Sequence, residues 1–178
     1  YYLQTRCPNK TYAILEGRES LGGTWDLFRY PGIRSDSDMY TLGFSFRPWT
    51  GENAIADGES ILHYVRDTAD EFDITSKIRF NHYVHNACWS SDDAQWTVEV
   101  THNGEPVTIT CNFLYMCAGY YDYEQGHRPQ WDDEDRYQVQ IIHPQHWDEH
   151  LAHADKEVFI SGSGATAVTL VPAMAEQA

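Results

Sequence analysis

The chain has 178 residues, enough for one fair-sized core or for one domain and the opening of another. Twelve Lys and Arg against 27 Asp and Glu give a net charge of -15, which argues against nucleic acid or an anionic membrane as partner. With 42% apolar and 14% aromatic residues, the composition is that of a folded domain and not of a disordered chain.

The N-terminus, YYLQTRCPNK, carries no signal-peptide pattern, and no apolar run is long enough to predict a membrane-spanning helix. Cys7, Cys88, Cys111 and Cys117 are scattered without a CxxC pair. They read as reduced thiols of a cytoplasmic protein, not as a disulfide or zinc framework. The chain opens without Met in what reads as the last turns of a helix and stops inside another helical run. A segment truncated at both ends is therefore expected.

Tyr12 to Glu16 predicts a short strand closed by an acid. In a dinucleotide-binding fold, an acid at the end of the second strand accepts hydrogen bonds from a ribose hydroxyl. Leu21 to Tyr40 is a long stretch dense in Gly, Pro and aromatics, of the kind ordered by something it holds. Gly22-Gly23 would let backbone approach a ligand, while Trp25, Phe28 and Tyr30 offer flat apolar surface. Arg29, Arg34, Asp36 and Asp38 supply charge.

Asp57 to Phe72 predicts an amphipathic helix with Ile61, Leu62, Val65, Ala69 and Phe72 on one face and Asp57 or Ser60 near its cap. Three strand-like runs follow: Ile78 to Trp89 with a break near Asn81, Trp96 to Thr101, and Pro106 to Met116. Asn103-Gly104 is a strong hairpin signal between the last two. The last run continues through Phe113 to Gly119 and predicts a buried parallel strand. Tyr120 to Trp131 reads as a polar, aromatic loop, Asp132 to Asp135 as a solvated acidic face, and Tyr137 to Asp148 as a linker.

Val158, Phe159 and Ile160 then predict a strand feeding Gly162-Ser163-Gly164-Ala165-Thr166-Ala167 and a helix ending near Ala178. This is the strand–turn–helix context of the G-x-G-x-x-G/A fingerprint. Its first glycine makes the turn, its second lets backbone approach a pyrophosphate, and the small Ala167 permits close packing. The helix start offers free N–H groups and a positive dipole end. His143, His146, His150 and His153 could suggest a metal site, but Pro144 interrupts the run and no helical pattern supports it, so no metal is expected.

Taken together, GGTWDLFRYPGIRSDSDMY, the HPQHWD segment and GSGATA resemble the flavin-containing monooxygenases, more narrowly the Baeyer–Villiger type. The resemblance covers essentially the whole chain. The family fingerprint F-x-G-x-x-x-H-x-x-x-W-[PD] is matched with Tyr137, Val139, His143, Trp147 and Asp148 at its Phe, Gly, His, Trp and final positions. It implies an α/β fold with a Rossmann-like, three-layer FAD-binding domain carrying an inserted antiparallel meander (residues 1–136, lacking the first strand and glycine turn). An interdomain linker (137–155) and the start of a Rossmann-like NADPH domain (156–178) would follow.

By the same resemblance, Glu16 would grip the adenosine ribose of FAD, and Gly22, Gly23, Thr24 and Trp25 would run beside its pyrophosphate, ribityl chain and ring. Arg34, Ser35 and Asp36 would sit at the flavin–nicotinamide junction, with Asp36 as the catalytic candidate, tuning an arginine beyond residue 178. Val84 would contact adenine through its backbone. His143, whose role would be structural coupling between the domains, and Trp147 are counted with the cofactor-binding residues, and Gly162, Ser163, Gly164, Ala165, Thr166 and Ala167 would bind the NADPH pyrophosphate. The implied partners are a small organic substrate and O₂. The implied reaction is oxygenation of a ketone, or of sulfur or nitrogen, through a C4a-(hydro)peroxyflavin. The alternatives are a two-dinucleotide reductase without oxygenation, which would need a redox cysteine pair, and a segment inactive on its own.

Overall fold

The computed structural model describes residues 1–176. Its contacts divide the chain into two compact units, each discontinuous in sequence: Tyr1–Leu21 with Arg66–Tyr120, and Gly22–Val65 with Tyr121–Ala178.

The first unit opens on the short helix α1 (Tyr2–Arg6) and the two-residue strand β1 (Ile14–Leu15). β1 pairs in parallel with β2 (Ile78–Arg79), Ile14 opposite Ile78. The break expected near Asn81 is present, because Asn81 adopts a positive φ of 55°, a conformation that Asn tolerates better than most side chains. The meander follows as β3 (His82–Ser90), β4 (Gln95–His102) and β5 (Glu105–Cys111), in the spatial order β3-β4-β5. Asn103 and Gly104 have φ of 50° and 87°. His102 faces Glu105 across the turn, so this is the two-residue hairpin whose positive φ values match strand twist. Alternation along β4 buries Val98 and Val100, each worth roughly 2 kcal/mol of transfer free energy.

The second unit contains α2 (Thr24–Leu27) and α3 (Met39–Leu42), and at its far end α5 (Ala165–Ala175). The long helix α4 (Gly58–Glu71) begins in this unit and ends in the first. Asp57 starts it: its carboxylate accepts from the Ser60 N–H at 2.8 Å and from the Ser60 hydroxyl at 2.6 Å. Ile61 and Leu62 are buried on its expected apolar face, with Tyr64 and Thr68 beside them. Two apolar clusters fill the second unit. Met39, Ala56, Ile61 and Tyr64 gather Trp25, Trp49 and Val65; Phe28, Tyr30, Leu170 and Met174 gather Leu27, Ile33, Trp147 and Ile160.

Two expected strands do not form. β5 stops at Cys111, and the run 113–119 is not a strand: Phe113, Tyr115 and Met116 are each 79% exposed. Nor is the run 158–160 a strand, and Phe159 is 91% exposed. Extended backbone becomes a strand only by exchanging hydrogen bonds with a neighbour, and among the described residues neither run has such a ladder. The predicted strand at 12–16 contracts to Ile14–Leu15 for the same reason, its only ladder being the two-residue β2. The final helix closes at Ala175; the last part of the run expected to reach Ala178 lies outside the described residues. No helix among them is long and apolar enough to cross a membrane.

Candidate functional site

In the first unit, the residues expected at the adenosine end come together. The Glu16 N–H donates to Arg79 O at 3.0 Å, and Glu16 O accepts from His82 N at 2.9 Å, so the end of β1 is tied to both β2 and the start of β3. Gly17 lies against Tyr83: a Cβ there would sit 3.1 Å from the ring. One Glu16 carboxylate oxygen accepts from the Arg18 N–H at 2.9 Å, which leaves the other to a donor from outside. Val84 is the last paired residue before a bulge that skips His85, and a bulge frees backbone groups from the ladder.

In the second unit, the Gly-Gly loop, the fingerprint and the second glycine turn share one core. Phe28 and Tyr30 from the loop pack with Leu170 and Met174 of α5, and Trp147 of the fingerprint joins them. Contact is close enough that a Cβ on Gly32 (φ +78°) would meet Thr169 O at 2.4 Å. Trp25 does not stand free as flat surface; it packs against the Met39–Tyr64 cluster.

The glycines do different things. Gly22 has φ +123°, and a Cβ there would fall 2.3 Å from Leu62 Cδ1 and 3.0 Å from Asp26 Cβ. The absent side chain therefore makes room for α4. Gly23 (φ +53°) lies under the Tyr123 hydroxyl, 3.1 Å from where a Cβ would be. At the second turn, Gly162 (φ +147°) would bring its Cβ no nearer than 4.0 Å to Ala167, and Gly164 would meet nothing within 4 Å. Gly164 caps α5 with no side-chain hydrogen bond, so the first N–H groups of the helix point into an open, glycine-lined cradle. That arrangement fits a dinucleotide pyrophosphate.

Arg34 and Asp36 are exposed on either side of the buried Ser35. Ser35 N–H donates to Ala56 O at 2.8 Å, its hydroxyl accepts from Ser37 N–H at 3.0 Å, and Asp36 accepts from the Ser37 hydroxyl at 3.2 Å. The serines thus fix the turn and leave both charged groups facing outward. Among the described residues Arg34 has no ion-pair partner, which suits a group held for an anion. Buried Asp26 pairs with Arg29 at 3.3 Å.

His143 caps a short 3-10 turn (Pro144–His146), its Nδ1 accepting from Gln145 N–H at 3.2 Å. No group of three potential metal ligands occurs among the described residues. The residues missed from sequence gather here: Tyr121, Asp122, Tyr123, Gly126 and Gln145. Asp122 two residues before Glu124 was a readable turn signal, its carboxylate accepting from the Glu124 and Gln125 N–H groups. Nothing in HPQHWD distinguishes Gln145. Cavities lined by His85, Glu99 and Thr101, and by Trp89, Trp96 and Phe113, lie on the meander and involve no predicted site residue.

Comparison with known proteins gives this arrangement a lineage. A family description, flavin-binding monooxygenase-like, matches residues 48–178. The FAD-containing monooxygenase EthA of Mycobacterium tuberculosis is 57% identical over 176 residues, 99% of this chain and 36% of that relative. A steroid monooxygenase bound to NADP superimposes with a TM-score of 0.83 at 29% identity, over 98% of this chain and 34% of its own. OTEMO, in complex with FAD and NADP, gives 0.81 at 29% identity, over 97% and 34%. The chain thus spans about a third of the length of the proteins it matches. It belongs to the flavin-binding monooxygenase-like family.

Proposed function

We propose that the full-length protein is an FAD- and NADPH-dependent monooxygenase that inserts one oxygen atom of O₂ into a small ketone, in the Baeyer–Villiger manner, or adds it to sulfur or nitrogen. The observation that carries this reading is the shared core of the second unit, where the Gly-Gly loop, Trp147 and the helix of the open glycine turn pack on one another. Steroid monooxygenase and OTEMO, whose structures hold NADP or both cofactors, support the cofactor assignment. We take residues 1–136 as part of the FAD domain and 156–178 as the start of the NADPH domain, joined by the fingerprint.

When bound, FAD would supply the oxygen activation, with NADPH as the source of electrons. The chain's own residues bind and orient. The free Glu16 oxygen accepts a ribose hydroxyl, and the Val84 backbone at the bulge meets adenine. Gly22 to Trp25 hold the cofactor's middle, with Gly22 fixed by Leu62. The first-turn N–H groups of α5 receive the NADPH phosphates across Gly162 and Gly164. Asp36, exposed next to Arg34, orients a cationic partner and so stabilises negative charge developing during oxygen transfer. Exposed, free Cys7, Cys88 and Cys117 suit a reducing cytoplasm.

The purified full-length protein should be yellow and oxidise NADPH. That rate should rise on adding a ketone or a thioether, with O₂ consumed and an ester or sulfoxide formed. Bound flavin without oxygenated product from either class would leave a reductase; no bound flavin would remove the proposal altogether.

A further inference from the structure

Loop 121–126 is held at four points, all within the second unit. The Tyr121 ring meets Phe28 edge-on at 5.1 Å. Asp122 O accepts from the side-chain amide of Gln145 at 2.7 Å. Tyr123 places its hydroxyl over Gly23, and Gly126 lies against His143 so closely that a Cβ would fall 2.2 Å from the imidazole. A carbonyl only accepts, so the amide must present its nitrogen to Asp122. Gln145 is 5% exposed, buried more deeply than the fingerprint histidine next to it, and its own N–H is bonded to that histidine. A buried amide with a backbone partner is costly to disconnect, because the Gln145 side chain is shielded from the water that would replace that partner.

We propose that Gln145 is a positioning residue of the monooxygenase. Its amide locks loop 121–126 to the fingerprint turn, so that Tyr123 stays over Gly23 as a wall of the flavin site. This rests on the flavoprotein reading above and adds to it one connection: the fingerprint reaches the flavin loop through Gln145, Asp122 and Tyr123. Gln145 touches no cofactor. Tyr123 is the residue that does.

The test uses the full-length holoenzyme, Gln145→Met (volume kept, donor removed), Gln145→Glu (acceptor only), Tyr123→Ala and the double variant Q145M/Y123A. Three readouts are taken: the FAD dissociation constant, the visible circular dichroism of bound flavin, and hydrogen exchange of the 121–126 amides. Q145M and Q145E should each weaken FAD binding about ten-fold, the loss expected for one hydrogen bond. They should shift the flavin dichroism and speed exchange at 121–126, with exchange in α4 unchanged. Y123A should weaken FAD binding by at least as much, and the double variant no more than Y123A alone, since both act through one contact.

FAD affinity and dichroism unchanged in Q145M would overturn the proposal, as would losses that multiply in the double variant. If Q145M and Q145E do not fold, Y123A decides it: parental FAD affinity there overturns the wall on which the connection depends. A parent protein without flavin counts against the proposed function itself, whereas a flavin-bound parent matched by all its variants counts against this inference alone.

Discussion

Gly22 and Gly164 sit in two turns of similar appearance, yet they are glycine for opposite reasons. At Gly22 the space a side chain would take is already filled by Leu62 and Asp26, and the backbone is held at φ +123°. At Gly164 the space is open and φ is an ordinary -81°. The first glycine is required by its neighbours in the fold; the second leaves open space, which we propose receives a guest. Motif reading treats both as places where backbone approaches a ligand, and only the neighbours separate them.

Substitution is the direct way to break this contrast, and the largest effect belongs to Gly22. Gly22→Ala combines a positive-φ backbone with a Cβ placed only 2.3 Å from Leu62 Cδ1 and should destabilise the flavin-free full-length protein by about 3 kcal/mol. Urea unfolding measures it, and adding Leu62→Ala should cost less than the two losses summed. Gly162→Ala meets no overlap but keeps φ +147°, so about 1–2 kcal/mol of strain is expected, together with a raised KM for NADPH. An Asp57→Ala variant sharpens the comparison by loosening the start of the helix that carries Leu62, at a cost of about 1 kcal/mol at neutral pH.

That last effect has a defined pH dependence. The hydrogen bonds from the Ser60 hydroxyl and N–H hold the Asp57 carboxyl below its ordinary value of 3.8. A depressed folded value stabilises fully above 3.8 and is lost as pH falls through that lower value. The gap between parent and D57A should therefore close in strong acid; a gap that widened there would refute the cap. Smallest in stability is Gly164→Ala, within about 0.5 kcal/mol of the parent, yet NADPH should bind about ten-fold more weakly to it. Equal NADPH affinity would mean that the open cradle holds nothing.

Sequence patterns succeeded where the cause of structure is local. Asp57 and the 3.6-residue spacing of Ile61, Leu62 and Val65 placed α4, and Asn103-Gly104 placed the hairpin through its two positive φ values. They failed where structure depends on a distant partner. Residues 113–119 and 158–160 have strand composition, but a strand is a property of two segments. Around the candidate site, the GSGATA turn and the helix start after it were legible because their geometry is contained in six residues. Gln145 was not, because its role is set by Asp122, 23 positions earlier. Tyr123 was read only as part of an aromatic loop, and its place over Gly23 is a tertiary fact.

Phe113, Tyr115 and Met116 carry a practical consequence. A β-prone stretch that is exposed and, among the described residues, has no strand partner is a template for association between copies, and the charge of -15 opposes it only while salt is low. Preparations of the isolated 178-residue polypeptide should turn cloudy as sodium chloride is raised, and lysine in place of Phe113 and Tyr115 should keep them clear.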